Sequence, residues 1–187
     1  MTLQQLQDGG VGGRISGSAS QRVSGVQHDS RRVEPGDLFV AVPGQNHDGV
    51  SFVDDALSRG AAAVMAEQRV QQDIPQITVP DARLGLARAA ELVYGAPTSA
   101  LRTVGITGTN GKTTTAYLLR EAIEAVAGKP ALVGTTGLLA GGAERASAHT
   151  TPEADDISRF ARSALDGGAT HLVLEVSSHG LAMHRVD

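Results

Sequence analysis

The residues best equipped for chemistry lie in two short stretches of the second half of this 187-residue chain. The first is Gly108-Thr109-Asn110-Gly111-Lys112-Thr113-Thr114. Glycines let the backbone wrap closely around a phosphate, and successive amides then point inward as an anion nest. The helix expected to open at Lys112 adds the positive end of its dipole. Lys112 is placed to reach the β and γ phosphates of a nucleotide, and the Thr113 hydroxyl to bind Mg²⁺. The spacing departs from the general G-x-x-x-x-G-K-[ST] pattern. The first glycine of that pattern falls on Ile106, and Gly105 stands one residue early. The second stretch, His171-Leu172-Val173-Leu174-Glu175-Val176-Ser177-Ser178-His179-Gly180, puts a carboxylate at the end of an apolar strand. Open parallel sheets bind ligands at that carboxyl edge, so Glu175 is read as a second Mg²⁺ ligand facing the phosphate loop.

The elements that must hold these residues follow from periodicity and punctuation. A strand over 102–107 feeds the loop, a helix over 112–127 leaves it, and a strand follows over 131–135. Residues 137–148 read as loop or hairpin, 153–165 as a helix and 171–176 as a buried strand. That is a parallel α/β domain with three clear strands. Upstream, 1–20 is polar and rich in Gly and Ser, with a short helix over 2–6. A strand over 22–28 runs into a turn at Asp29-Ser30-Arg31, and Pro35-Gly36 marks another. Strands are expected over 38–42, 61–66 and 77–79. Helices are expected over 51–60, with Ser51 as cap and Phe52, Ala56 and Leu57 on one face, and after Asp81 up to Gly95. The stretch 95–99 reads as a domain linker. The fold class is therefore α/β: a small N-terminal α/β domain, then a parallel-sheet phosphate-loop domain.

Bulk properties narrow the partners. With 41% hydrophobic and 19% charged residues the chain is of ordinary globular composition. A net charge of −4 and only 3% aromatic residues argue against nucleic acid as a partner. The absence of cysteine excludes disulfides, thiolate metal sites and cysteine nucleophiles. No apolar run approaches the ~20 residues that cross a membrane, and the start lacks a secretory pattern. A cytoplasmic, monomeric protein is expected.

Four segments carry a family resemblance. Thr107 to Thr114, T-G-T-N-G-K-T-T, is the tighter phosphate loop of Mur ligases and their folate-ligase relatives, which accounts for the displaced glycine. Glu175 to Leu181, followed by His184-Arg185-Val186, resembles the E-V-S-S-H-x-L signature of MurE-type Mur ligases. His149-Thr150-Thr151-Pro152 resembles their T-T-P loop. Asp29-Ser30-Arg31-Arg32-Val33-Glu34-Pro35-Gly36-Asp37-Leu38-Phe39-Val40-Ala41 resembles the opening D-S-R-x-V-x-P-G-D-L-F-x-A stretch of MurE and MurF ligases.

The resemblance implies a division of the chain. Residues 1–97 would be the UDP-substrate-binding domain and 98–187 part of the central ATP-binding domain. A C-terminal domain, with the amino-acid site, would lie beyond this chain, and the fragment alone would not catalyse ligation. The implied reaction is peptidoglycan precursor synthesis. ATP phosphorylates the D-Glu carboxyl of UDP-MurNAc-L-Ala-D-Glu, and an amino acid, meso-diaminopimelate or L-lysine, attacks the acyl phosphate. Implied ATP contacts are Gly108, Thr109, Asn110, Gly111, Lys112, Thr113 and Thr114, with Lys112 and Glu175 catalytic and Thr113 and Glu175 on Mg²⁺. Implied substrate contacts are His28, Ser30, Gln45, Asn46, His47, Thr150, Thr151, Ser177 and Arg185, the last pairing with a carboxylate. Met183 departs from the family, where many members carry Gln, which weakens that part of the correspondence. The alternatives are a MurF-type or other Mur ligase, or a non-catalytic UDP-sugar-binding protein.

Overall fold

The computed structural model describes residues 1–44 and 48–187. The chain divides into two compact units, Met1–Val93 and Tyr94–Asp187.

In the first unit, Thr2 caps the short helix α1 (Leu3–Leu6) in a reciprocal capping box with Gln5. Strand β1 (Arg14–Ser16) follows, then β2 (Gly25–Gln27) and β3 (Asp37–Val40). Helix α2 (Val53–Ser58), strands β4 (Ala63–Ala66) and β5 (Gln76–Thr78), and helix α3 (Ala82–Val93) complete the unit. The sheet order is β1-β5-β4-β3-β2, parallel from β2 to β5 with β1 antiparallel at one edge. Side chains alternate across each strand. Leu38, Val40, Met65 and Ile77 therefore pack on one face with Leu3, Leu6 and Leu86, while Phe39, Val64 and Ala66 pack on the other with Val53 and Ala56. Asp81 caps α3 as expected, its Oδ1 accepting from the amides of Arg83 and Leu84 at 2.8 and 2.9 Å.

Two expectations are corrected here. β1 lies inside the polar, Gly/Ser-rich opening, where a short helix but no strand is expected. It pairs with β5 because Gly13, at φ +80°, lets the backbone pass Thr78 where a Cβ would stand 2.4 Å from the carbonyl oxygen. The cap near Ser51 belongs instead to Asp48, whose side chain accepts from the Val50 amide and opens a 3₁₀ turn at Gly49–Phe52 ahead of α2. Phe52 thus falls outside the helix and is 41% exposed, while Val53 and Ala56 face the core.

In the second unit, the stretch read as linker folds into a single turn, α4 (Pro97–Ala100), with Pro97 at its first position. Then come β6 (Arg102–Ile106), α5 (Lys112–Ala125), β7 (Pro130–Gly134), β8 (Gly137–Ala140), β9 (Ala143–Arg145), α6 (Ala154–Asp166), β10 (His171–Glu175) and α7 (Ser178–Ala182). The order is β6-β10-β7-β8-β9. β6, β10 and β7 run parallel, and the β8–β9 hairpin extends the sheet antiparallel. The sheet is thus mixed and five-stranded, where three parallel strands are expected from sequence. Gly141 and Gly142, both at positive φ, supply the two-residue hairpin turn. Ala131, Val133, Leu172 and Leu174 pack under α6, and Leu132 and Val173 under Ala116 and Ile123 of α5.

Candidate functional site

β6 ends at Ile106 and α5 begins at Lys112, so the loop Gly108–Gly111 turns directly from strand to helix at the carboxyl edge of the sheet. Gly108 and Gly111 hold positive φ of 146° and 80°, backbone that side chains resist. Among the described residues no side chain caps the first turn of α5, which leaves its amides to a ligand. Lys112 Nζ lies over the loop and donates to Gly108 O at 2.7 Å. Uncapped amides, positive-φ glycines and a lysine above them fit a polyphosphate.

Glu175 closes β10 and is fully buried. Its Oε2 accepts from Thr113 Oγ1 at 2.9 Å and from Thr135 Oγ1 at 3.2 Å, and its Oε1 accepts from the Thr135 amide at 3.1 Å. The two residues expected to hold a metal thus meet directly. A carboxylate and a hydroxyl oxygen side by side form the hard-oxygen set that Mg²⁺ prefers. Gly134 makes room for the carboxylate, since a Cβ there would stand 2.1 Å from Glu175 Oε1. Thr135 also meets Thr150, with the two hydroxyls 3.0 Å apart. Gly134 and Thr135 are site residues that the sequence reading missed. Their signal was a glycine ending an apolar strand with threonines just beyond it, at the same edge as the phosphate loop.

Thr151, Ser177 and Arg185 are brought together beside this cluster, by internal bonds. Thr151 Oγ1 donates to Glu175 O at 2.9 Å and accepts from the Ser177 amide at 3.0 Å. Ser177 caps α7, its Oγ accepting from the Gly180 amide at 2.9 Å. Arg185 donates through Nη1 to Thr151 O at 2.9 Å and meets Glu153 Oε1 through Nη2 at 2.6 Å. Thr151 is almost wholly buried and Arg185 is 8% exposed. The loop carrying Thr150 is therefore sewn to the segment that follows β10.

In the first unit, His28 and Ser30 follow β2 at the carboxyl edge of that sheet. Asp29 caps a 3₁₀ turn over Ser30–Arg32 and pairs with the Arg31 guanidinium at 2.8 and 2.7 Å. That hydrogen-bonded pair lowers the Asp29 pKa from its ordinary value. At the same edge a cavity of about 390 Å³ is lined by Pro43, Asp48, Val50, Glu67, Arg69 and Gln72. Gln45, Asn46 and His47 lie outside the described residues.

Comparison with known proteins agrees with this geometry. The Mur ligase family catalytic-domain model matches residues 22–98, and the Mur ligase middle-domain model matches residues 106–187. The UDP-N-acetylmuramoyl-L-alanyl-D-glutamate--2,6-diaminopimelate ligase of Solibacter usitatus is 45% identical over 170 residues, covering 90% of this chain and 34% of its own length. The ligase of the same description from Caldanaerobacter subterraneus is 39% identical over 180 residues, covering 95% and 37%. The chain spans little more than a third of the curated relatives it matches. A solved UDP-N-acetylmuramoyl-L-alanyl-D-glutamate--2,6-diaminopimelate ligase superposes with a TM-score of 0.81 at 30% identity, covering 100% of this chain and 38% of that one. MurF from Acinetobacter baumannii, at 23% identity and a TM-score of 0.69, shares the fold. With both family models matched in tandem and the phosphate loop and strand-end glutamate in contact, the chain belongs to the Mur ligase family.

Proposed function

We propose that this chain is part of an ATP-dependent, cytoplasmic and monomeric ligase that adds diaminopimelate to UDP-MurNAc-L-Ala-D-Glu in peptidoglycan precursor synthesis. The observation that carries this reading is the contact of Thr113 with Glu175 beside Thr150 and Thr151, set against the likeness to diaminopimelate ligases. No helix among the described residues is long and apolar enough to cross a membrane.

Within that reading, residues 1–97 hold the UDP end of the substrate through His28, Ser30, Gln45, Asn46 and His47. Residues 98–187 hold the nucleotide and the acceptor carboxyl. The amides of Gly108–Lys112 bind the phosphates, and Lys112 offsets charge on the γ-phosphoryl group as it transfers. Thr113 and Glu175 would hold Mg²⁺, which supplies further charge neutralisation there. Thr150 accepts a hydroxyl or amide hydrogen of the muramoyl-peptide and, with Thr151, Ser177 and Arg185 behind it, so places the D-Glu carboxyl as the nucleophile. The transfer needs alignment more than covalent chemistry from the protein, and a cluster fixed by mutual hydrogen bonds provides it.

The test is phosphate release by the full-length protein with ATP, UDP-MurNAc-L-Ala-D-Glu and diaminopimelate. L-Lysine and, on the tripeptide substrate, D-alanyl-D-alanine serve as competing acceptors. Release that depends on diaminopimelate is expected. Preference for L-lysine would move the chain to the other MurE-type acceptor class, and preference for D-alanyl-D-alanine to the MurF type. Binding of the UDP-sugar without turnover of any acceptor would leave a binding protein.

A further inference from the structure

The Arg185 guanidinium is fixed on two sides and, on the third, enclosed but unpaired. Nη1 is tied to Thr151 O at 2.9 Å and Nη2 to Glu153 Oε1 at 2.6 Å. Nε is buried and has no hydrogen-bond partner among the described residues. An unsatisfied donor on a buried cation is costly, and a planar guanidinium whose Nη groups are both committed has little freedom to turn and relieve it. Glu153 is itself well placed to hold this pose. It is the residue from which α6 starts, its side chain is only 15% exposed, and it follows Thr151-Pro152 in the loop that also carries Thr150.

We propose that Glu153 is a positioning residue: it holds Arg185 so that the unpaired Nε–H edge receives a carboxylate oxygen of the muramoyl-peptide substrate. Glu153 does not touch the substrate. It acts through Arg185, and with Thr151 it keeps the fork pre-set, so that binding spends little ordering entropy on a long side chain. This inference rests on the ligase reading above, and the experiment separates the two.

The measurement is the Kd of UDP-MurNAc-L-Ala-D-Glu and the kcat and KM of the full-length protein, for wild type, Glu153→Gln, Glu153→Ala, Arg185→Lys and the double variant Glu153→Ala/Arg185→Lys. The Gln variant keeps the shape and an acceptor, so it reports even if the Ala variant folds poorly. Both Glu153 substitutions should raise the Kd and KM for the UDP substrate, the Ala variant by about tenfold, as for one weakened charge-assisted hydrogen bond. The KM for ATP should stay unchanged. The double variant should bind no worse than Arg185→Lys alone. UDP-N-acetylglucosamine, which keeps the diphosphate but has no carboxylate, should bind wild type and Glu153→Ala equally.

Unchanged substrate affinity in both Glu153 variants, or additive losses in the double variant, would overturn the positioning role. A loss that persists with UDP-N-acetylglucosamine would overturn the carboxylate assignment. A wild-type protein that binds the substrate but turns over no acceptor would remove the ligase reading while the affinity comparison still judges this one. A wild-type protein without affinity for the substrate would overturn both.

Discussion

Replacing Gly134 with alanine tests the architecture of the site at one atom. The backbone there is not in the left-handed region, so alanine meets no conformational penalty of its own. The new Cβ would stand 2.1 Å from Glu175 Oε1, 2.7 Å from Cδ and 3.0 Å from Cγ. Ordinary contact begins at ~3.5 Å, so the carboxylate has to retreat by about 1 Å or more. It then gives up the Thr135 amide and hydroxyl, now at 3.1 and 3.2 Å. A hydrogen bond to a charged group contributes ~1.5–3 kcal/mol, and the freed carboxylate recovers part of that elsewhere. Alanine returns ~0.4–1 kcal/mol by restricting the unfolded chain. The expected net loss is ~2–4 kcal/mol, a fall of ~1–2 M in the urea midpoint of the unit at an m-value of about 2 kcal/mol/M. Ligation and Mg²⁺ affinity should fall by at least tenfold, because the carboxylate no longer faces Thr113. Urea unfolding and Mg²⁺ titration of the full-length protein read both effects. With Glu175→Ala in place the three atoms nearest the new Cβ are gone, so adding Gly134→Ala should cost little further. A single variant as stable as wild type, or a double variant whose losses add, refutes it.

Gly180→Ala would press a Cβ to 2.7 Å from Thr151 Cγ2 and 2.8 Å from its Cβ; thermal unfolding should show a loss of ~1–3 kcal/mol, as for other overpacked sites. Thr135→Val keeps the shape but removes the hydroxyl between Thr150 and Glu175. It should destabilise the unit by ~1–2 kcal/mol and weaken Mg²⁺ binding, read by urea unfolding and metal titration. The Asp29–Arg31 pair gives a pH signature. The folded pKa of Asp29 lies below its ordinary value through the hydrogen bond from Arg31, so its contribution is complete above the ordinary carboxylate range and is lost as the pH falls through the depressed value. The pair is solvent-screened, so the contribution is small; Asp29→Asn should lower neutral-pH stability of the first unit slightly, leave stability below the depressed value unchanged, and so flatten the acid limb of the stability curve.

Much of the site could be read in the sequence because its parts are local. A glycine loop between strand and helix carries its own geometry, and a glutamate closing an apolar run must stand at a sheet edge. The α/β class follows from the same alternation of elements. Other features depend on contacts between distant segments. β1 is three residues long, too short to display a period, and exists because Gly13 lets the chain pass Thr78. Asp48 and Ser51 are both good caps, and only the start of the 3₁₀ turn decides between them. The partnership of Gly134 with Glu175 joins residues 41 positions apart through strand register, and nothing in either local sequence announces it. Thr151, Ser177 and Arg185 read from sequence as substrate contacts; in the fold they are also joined to one another, to Glu153 and to the backbone, with Arg185 Nε left unpaired, which spacing along the chain does not reveal.

The cluster at Glu175 also has a direction. A carboxylate can only accept, so the single proton of Thr113 and that of Thr135 both point toward it. With the Thr135 proton spent there, the contact between Thr135 and Thr150 is made by the Thr150 proton. Every hydroxyl in the chain from Thr150 through Thr135 to Glu175, and from Thr113 to Glu175, is therefore oriented inward. What Thr113 and Thr150 offer outward is lone pairs alone. One buried negative charge thus sets the polarity of two surface groups: at Thr113 the oxygen is ready for a cation, and at Thr150 it is ready for a hydroxyl or amide hydrogen and unsuited to a bare anion.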